Sequence, residues 1–203
     1  MPPIVMFSAC DTYPIDGSHG SVAMAALALG AVAVLGTMFP IGAVEAAVFN
    51  ARLALRIQEY IPIALKSTRV SSVTWRTVVS GMLRMHHTQE ILRRLMSPTI
   101  MGLTIEAVMQ VQMAANISIN AQHADWYAAF ERNVANRCGR SVGVVREVIS
   151  KHAGLTDAMK YVHLGNPEDI AIVPDVPEHV LHRFGISQSD TVGSVSAKNG
   201  PYA

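Results

Sequence analysis

The sequence has few charged residues, few aromatic residues and almost no cysteine. Charged residues make up 15% of the chain and aromatic residues 6%, whereas 50% of the residues are hydrophobic. Typical soluble domains contain about 25% charged residues, so this chain lies on the apolar side of that average. Cys10 and Cys138 are too few for a disulfide framework and indicate free thiols. Cys138 lies between Arg137 and Arg140, which are expected to lower the pKa of its thiol.

Motifs for phosphate and metal binding are also absent from the sequence. It contains neither G-x-x-x-x-G-K-[ST] nor G-x-G-x-x-G, and neither C-x-x-C nor H-E-x-x-H. Two histidine clusters remain, namely His86 and His87 with Glu90, and His179 with His182. Metal sites in helical bundles need several such groups on facing helices, and a second carboxylate-rich face is missing here. We therefore predict no catalytic residue, no metal site and no cofactor.

The strongest feature that is present is the uncharged stretch Ser21–Phe39, SVAMAALALGAVAVLGTMF. As one helix it would be about 28 Å long, close to the hydrocarbon thickness of a bilayer. It predicts a hydrophobic N-terminal helix that lies in a membrane or in a large protein core. Ala26, Gly30 and Ala33 would then form a small-residue face that lets another helix approach closely. A second helix over 42–61, ended by Pro62, would make a helical hairpin or continue the span with a kink.

Basic residues are distributed asymmetrically along the chain. Residues 1–51 contain no Lys or Arg, whereas residues 52–94 carry eight basic residues against two acidic ones, a net charge of +6. Positive charge just beyond an apolar span is typical of the cytoplasmic side of a membrane. This predicts an N-terminus outside and the C-terminal bulk on the cytoplasmic or matrix side. The arginines that are candidates for contact with a partner or with nucleic acid are Arg52, Arg56, Arg69, Arg76, Arg84, Arg93 and Arg94.

Helical periodicity predicts a multi-helix domain over residues 62–184. Amphipathic helices are predicted over 73–97, 122–137, 141–152 and 155–164, with Pro or Gly near their ends. Residues 99–121 are strongly apolar but contain four amides, so we expect a helix buried against other helices or subunits, with a strand as the alternative. Residues 1–20 and the Ser/Gly-rich 185–203 are predicted to be extended tails, with a last helical turn at 178–184. The predicted fold class is all-α.

Three hypotheses of function follow from these features. The first is a non-catalytic structural subunit of a membrane-associated complex, anchored by residues 21–39 and bound to membrane lipid and to other protein subunits as a homo- or hetero-oligomer. The second is a soluble self-assembling coat or nucleocapsid-type protein whose basic residues in 52–94 face nucleic acid. The third is an enzyme with an unrecognised site, for which the candidate residues are His86, His87, Glu90 and Cys138.

Overall fold

Six α-helices and five short β-strands make up the described part of the chain, which in this computed structural model is residues 4–7, 12, 21–66 and 72–172. The strands are β1 (Ile4–Met6), β2 (Ala33–Thr37), β3 (Val73–Thr74), β4 (Tyr161–Gly165) and β5 (Ala171–Ile172). The helices are α1 (Val22–Ala28), α2 (Ala43–Lys66), α3 (Trp75–Leu95), α4 (Ile105–Asn120), α5 (Trp126–Cys138) and α6 (Val142–His152), with a 3₁₀ helix at Asp157–Lys160. The described residues are mostly helical, as predicted. The two small sheets show that a purely all-α fold was wrong.

Several predictions concern residues outside these ranges. They are most of the 1–20 tail with Cys10, the segment 67–71 with Arg69, the pair His179 and His182, the turn at 178–184, and the 185–203 tail. Each of these stays a prediction from sequence.

The uncharged stretch Ser21–Phe39 does not form one helix. Ser21 caps α1, its Oγ accepting a hydrogen bond from the Met24 N–H at 3.1 Å. The chain leaves α1 through Gly30, whose φ is 99°, and enters β2, in which all five residues are buried. A short apolar helix and a fully buried strand are both uncharged, so apolarity alone does not distinguish this pair from a single long helix.

This arrangement overturns the predicted membrane anchor. Ala26 lies on α1, Gly30 follows the helix and Ala33 begins β2, so the three residues share no helix face. Among the helices of the described residues, none combines the length and the apolarity needed to cross a membrane. The predicted transmembrane helix was wrong, and so was the membrane localisation that depended on it.

β2 is the central strand of a three-stranded sheet. β1 pairs with it in parallel, placing Val5 opposite Val34, and β4 pairs with it antiparallel, placing His163 opposite Leu35. Parallel neighbours need a crossover connection, and α1 lies between β1 and β2 in the chain. Ala23 and Ala26 of α1 pack in one cluster with Val34. β2 is therefore covered along both edges and by α1, which explains its continuous apolar sequence.

The segment 155–164 was predicted to be a helix, and this prediction was wrong. Only Asp157–Lys160 is helical, as a single 3₁₀ turn, and β4 follows directly. Tyr161 and Val162 belong to the aromatic and β-branched classes that favour strands. Pairing with β2 satisfies their backbone groups, and the Tyr161 ring stacks on Phe49 of α2 with centroids 4.1 Å apart. Tertiary contacts thus determine the structure of this segment.

α2 continues for five residues beyond its predicted end at residue 61, through Pro62 to Lys66. Proline inside a helix removes one backbone hydrogen bond, which made a stop at this position reasonable. Ile61 is buried, and Ala64 and Leu65 pack against the core that α2 forms with α3 and the sheet. The apolar contacts on both sides of Pro62 offset the lost hydrogen bond and keep the helix continuous to Lys66.

α3 connects two hydrophobic cores. Its first half, with Trp75 and Val78, packs with α2 and the sheet, and its second half, with Ile91 and Leu95, packs with α4, α5 and α6. The predicted helices over 73–97, 99–121, 122–137 and 141–152 are confirmed as α3, α4, α5 and α6. Because α2, α3 and α4 lie side by side, their polar faces meet at one surface.

Candidate functional site

An open groove of about 1280 Å³ runs between α2 and α4, with α3 at its base. We call it the α2–α4 groove. Its volume exceeds the roughly 300–1,000 Å³ of typical small-molecule sites. The polar side chains that line it include Arg52, Arg56, Gln89, Gln112, Asn116 and Asn120, together with Glu59, Tyr60, Ser72, Thr74, Thr77, Gln122 and His123. Apolar side chains of α2 and α3 also line it, so a charged surface and an apolar surface lie within one site.

Arg56 is buried in the wall of the groove, with 8% of its surface exposed. Its Nε donates to the Val78 carbonyl at 3.0 Å, and Nη1 donates to Asn120 Oδ1 at 2.9 Å and to Met85 Sδ at 3.5 Å. Its guanidinium carbon lies 4.1 Å from the centre of the Tyr60 ring, a cation–π contact. Burial lowers the pKa of Arg56, and Tyr60 acts in the opposite direction. Among the described residues, no carboxylate forms an ion pair with this guanidinium.

Gly81 provides the space that the Arg56 side chain occupies. A Cβ atom at position 81 would lie 2.3 Å from Arg56 Nη2. Glycine inside a helix costs about 0.5–1 kcal/mol relative to alanine. α3 therefore gives up some helix stability at a position where the guanidinium of α2 packs against its backbone.

Arg52 lies one helical turn before Arg56 and lines the same groove. Its Nη1 donates to Gln89 Oε1 and lies 3.4 Å from His86 Nδ1. Burial lowers the pKa of Arg52, the positive charge of Arg93 acts in the same direction, and Glu90 acts in the opposite direction. Two partly desolvated guanidinium groups thus lie next to each other on one face of α2.

Of the five side-chain amides that line the groove, all but Gln122 use their oxygens in hydrogen bonds with described residues. Asn120 Oδ1 accepts from Arg56, Gln89 Oε1 accepts from Arg52, and Asn116 Oδ1 accepts from Gln112 Nε2 at 2.7 Å. The amide nitrogens of Gln89, Asn116 and Asn120 have no hydrogen-bond partner among the described residues. Each of these nitrogens carries two donor hydrogens. The part of the groove formed by Arg52, Arg56 and these three amides is therefore rich in donors, while Glu59 and Gln122 also line the groove and carry acceptor oxygens.

A row of apolar side chains lies exposed on α4 beside this groove. Val111, Ala115 and Ile119 form the buried face of α4. On its solvent side, Ile105, Met109, Met113 and Ile117 are 66%, 65%, 60% and 66% exposed. We call these four residues the α4 face. They are spaced four residues apart and therefore form one ridge along the helix. The prediction of a helix buried against other helices or subunits is thus matched by only one side of α4 within the described chain.

The predicted arginines do not form one basic surface. Arg52 and Arg56 line the groove. On α3, Arg76 pairs with Glu168, and the Arg84 guanidinium lies 5.6 Å from the Trp126 ring centre. Further along α3, Arg93 is exposed, and Arg94 donates to the His152 carbonyl at 3.4 Å. Of the predicted arginines in the described part of the chain, Arg52 and Arg56 line the α2–α4 groove, and Arg76 and Arg84 line a separate, smaller cavity.

The histidine cluster His86–His87 with Glu90 has a structural role. Glu90 is buried, and its two oxygens accept from the backbone N–H groups of Asp157 and Ala158 at 3.1 and 3.2 Å. His86 Nε2 lies 3.9 Å from Glu90 Oε2. Glu90 therefore stabilises the first turn of the 3₁₀ helix by accepting hydrogen bonds from backbone N–H groups that have no partner within the helix, as carboxylates do at helix N-termini.

The remaining histidine of the cluster, His87, joins α3 to the same turn. Its Nδ1 lies 2.8 Å from Thr156 Oγ1, and its ring stacks on Tyr127 with centroids 5.9 Å apart. The cluster thus connects α3, α5 and the 3₁₀ turn. Among the described residues, the imidazole of His87 and the carboxylate of Glu90 therefore both have partners within the protein.

Burial of three histidines predicts that acidification destabilises the fold. Burial lowers the pKa of His86, His87 and His163, so each group binds its proton less readily in the folded chain than in the unfolded chain. The unfolded state binds more protons below about pH 6.5, and the free energy of unfolding should fall from there towards the folded-state pKa values. Each unit of pKa difference corresponds to about 1.4 kcal/mol. Urea unfolding over this pH range measures the slope.

The variant His163→Leu should reduce that slope, because it removes one titrating group whose buried Nε2 has no hydrogen-bond partner among the described residues. A slope equal to that of the wild-type chain would contradict this origin of the pH dependence.

Cys138 does not have the features of a reactive thiol. Its Sγ donates to the Val134 carbonyl at 2.7 Å and lies 3.4 Å from Met101 Sδ. Burial raises the pKa of this thiol, while its backbone hydrogen bond and Arg140 act in the opposite direction. Arg140 therefore acts in the expected direction, but the net pKa is raised because desolvation outweighs it.

Residues 139–143, G-R-S-V-G, match the nucleophile-elbow pattern in sequence. That motif requires a strand before the serine and a helix after it. Here Gly139 ends α5, and Ser141 caps α6 with its Oγ accepting from the Val144 N–H at 3.3 Å. The segment is a link between two helices, and it lacks the geometry of the motif.

Comparisons with known proteins do not assign a function to this site. Within the described residues, no group of three or more His, Cys, Asp or Glu side chains is arranged to hold a metal ion. No family model matches the chain, and neither a curated protein nor a solved structure shows significant similarity to it. The function is therefore inferred from the α2–α4 groove and the α4 face.

Proposed function

We propose that this chain is a non-catalytic structural subunit that assembles with a second copy of itself through the α4 face. The observation that carries this proposal is the row of four large apolar side chains, each at least 60% exposed, on a helix whose packed side is already satisfied. Burying one such side chain stabilises a contact by about 1.5–3 kcal/mol. An exposed row of this kind favours a partner over solvent.

The spacing of the α4 face suits another helix. Residues four apart form a ridge, and two such ridges pack into each other's grooves at a crossing angle of about −50°. Glu106 is the charged residue of α4, so two α4 faces related by a two-fold axis bring few like charges together. A second copy is therefore a matched occupant of this surface.

The candidate catalytic residues support a role without catalysis. Glu90 and His87 hold the 3₁₀ turn, and the Cys138 thiol is desolvated and hydrogen-bonded to a carbonyl. These groups have structural partners, which is what a scaffold requires of them. A membrane anchor is not part of this proposal, because the apolar stretch that suggested it folds into α1 and β2.

Self-association should depend on the centre of the α4 face. The variant Met113→Glu removes one apolar contact from each subunit of a two-fold dimer and places two carboxylates close together. The loss of about 3–6 kcal/mol corresponds to a dissociation constant at least a hundred-fold higher. Light scattering coupled to size-exclusion chromatography, over a range of concentrations, measures the molar mass.

The matched control is Met159→Glu, which makes the same change at a residue that is 51% exposed on the 3₁₀ helix. It should leave the molar mass of the assembly unchanged. A wild-type chain that stays monomeric at high concentration, or a Met113→Glu variant that associates normally, would contradict the proposal. Co-purification of nucleic acid, seen as a high ratio of absorbance at 260 nm to that at 280 nm, would instead favour the coat-protein hypothesis.

A further inference from the structure

The α2–α4 groove contains two positive charges that form no ion pair with a described carboxylate, although Glu90 acts on Arg52 from beyond ion-pair distance. Arg56 is buried and Arg52 is partly buried, and neither forms an ion pair with a described carboxylate. Glu59 also lines the groove, but it is exposed and forms no ion pair with either arginine. Buried charges in proteins are normally paired, because an unpaired ion loses its hydration without compensation.

Hydrogen bonding in the groove has the same bias. Arg52 and Arg56 have no acceptor atoms, and the oxygens of Gln89, Asn116 and Asn120 are already occupied. Among these five side chains, the unused polar atoms are therefore donors, namely the three amide nitrogens and the remaining guanidinium nitrogens of Arg52. Such a set matches a ligand group that only accepts hydrogen bonds, which is the property of an ionised carboxylate or phosphate.

The apolar wall of the groove defines the rest of the ligand. Leu55 and Ile63 of α2 are 52% and 71% exposed at the rim, and Met82 and Met85 of α3 lie deeper. The groove of about 1280 Å³ is far larger than an inorganic anion needs. Ligand sites combine such apolar walls with a few polar groups that fix orientation.

We propose that the α2–α4 groove binds an organic anion, whose carboxylate or phosphate head contacts Arg52 and the amides of Gln89, Asn116 and Asn120 and lies next to the positive charge of Arg56. Its apolar body lies along Leu55, Ile63 and the two methionines. This site is separate from the α4 face, because α4 contributes Gln112, Asn116 and Asn120 to the groove and presents Met109 and Met113 to solvent.

Isothermal titration calorimetry of the full chain tests this site with four probes. Octyl phosphate and octanoate carry the two candidate heads on the same apolar body, inorganic phosphate is the head alone, and octanol is the body alone. We expect saturable binding of at least one organic anion, at least ten-fold weaker binding of inorganic phosphate, and no saturable binding of octanol. The tighter of the two organic anions identifies the head. Absence of binding by both, or equal binding of octanol, would overturn the proposal.

Two variants test the residues without removing the buried guanidinium. Arg52→Gln removes one positive charge at the groove. Asn120→Asp is nearly isosteric and supplies a carboxylate at the oxygen that Arg56 already contacts at 2.9 Å. Each variant should bind the organic anion at least ten-fold more weakly while keeping the wild-type circular dichroism spectrum. Wild-type affinity in both folded variants would overturn the proposal.

The matched control is Arg137→Gln, which makes the same change of charge at an exposed residue of α5 outside the groove. It should bind the anion with wild-type affinity, and an equal loss here would show that only net charge matters and would overturn the site. Met113→Gln should also bind normally. This result distinguishes the groove from the α4 face, since the same variant weakens self-association if the proposed function is correct.

Discussion

Replacing Gly165 with alanine should destabilise the fold by about 3 kcal/mol. Gly165 ends β4 with a φ of 80°, a conformation that costs an L-residue with a Cβ about 1–2 kcal/mol. An added Cβ would also lie 2.3 Å from the Val32 carbonyl oxygen and 3.0 Å from Leu27 Cδ2. The Val32 oxygen accepts a hydrogen bond from the Asn166 N–H at 2.9 Å. Displacing this oxygen would therefore also weaken that hydrogen bond.

Chemical denaturation of Gly165→Ala and of the wild-type chain measures this difference in unfolding free energy. The control is Gly143→Ala in α6, where the added Cβ would meet only Ser141 Oγ at 4.0 Å. Alanine favours a helix over glycine, so this control should be neutral or more stable by up to about 1 kcal/mol. Equal stability of the two variants would contradict the close contact between Gly165 of β4 and Val32 in the turn between α1 and β2.

Replacing Glu90 with alanine should cost about 3–5 kcal/mol. Two backbone N–H groups, those of Asp157 and Ala158, donate to this buried carboxylate and would lose their acceptors. Each buried donor left without a partner costs about 1–3 kcal/mol, and the deleted side chain also leaves a small cavity. Glu90→Gln keeps one oxygen but directs an NH₂ group at the other donor, so it should cost less than alanine but still about 2 kcal/mol.

Urea unfolding of the two Glu90 variants measures these costs. Glu147→Ala removes an exposed carboxylate from α6 and should change stability by no more than about 0.5 kcal/mol. A Glu90→Ala variant as stable as the wild-type chain would show that the carboxylate does not hold the 3₁₀ turn. In that case the pair His86 and Glu90 would again be a candidate for chemistry.

The α4 helix shows which features of a helix can be predicted from sequence and which cannot. Its length and its amides are visible in residues 99–121, and they correctly predict a helix that contacts other helices. The pattern is apolar on most of its circumference, so it does not reveal which side stays exposed. That side follows only from the position of α3 and α5, which cover Val111, Ala115 and Ile119 and leave Met109 and Met113 in solvent.

For the α2–α4 groove, the sequence identifies candidate residues but does not show which of them come together in space. The spacing of Arg52 and Arg56 places both on one face of α2, and this follows from helical geometry alone. Asn120 is 64 residues from Arg56, and their hydrogen bond exists only because α4 packs beside α2 across α3. No local pattern links them, and none indicates that the glycine at 81 makes room for the guanidinium.

The sequence by itself determined the helices α3 to α6, since their apolar residues repeat with helical period and their caps Thr74, Thr104 and Ser141 are local signals. Only the tertiary structure decided which secondary structure Ser21–Phe39 and Tyr161–Gly165 adopt. Ala33–Thr37 of the first segment and Tyr161–Gly165 form strands because each supplies the backbone partner that the other needs, from positions more than a hundred residues apart. Hydrophobicity indicates that a segment is buried. Whether it is buried as a membrane helix or as a central strand depends on the neighbours that complete its hydrogen bonds.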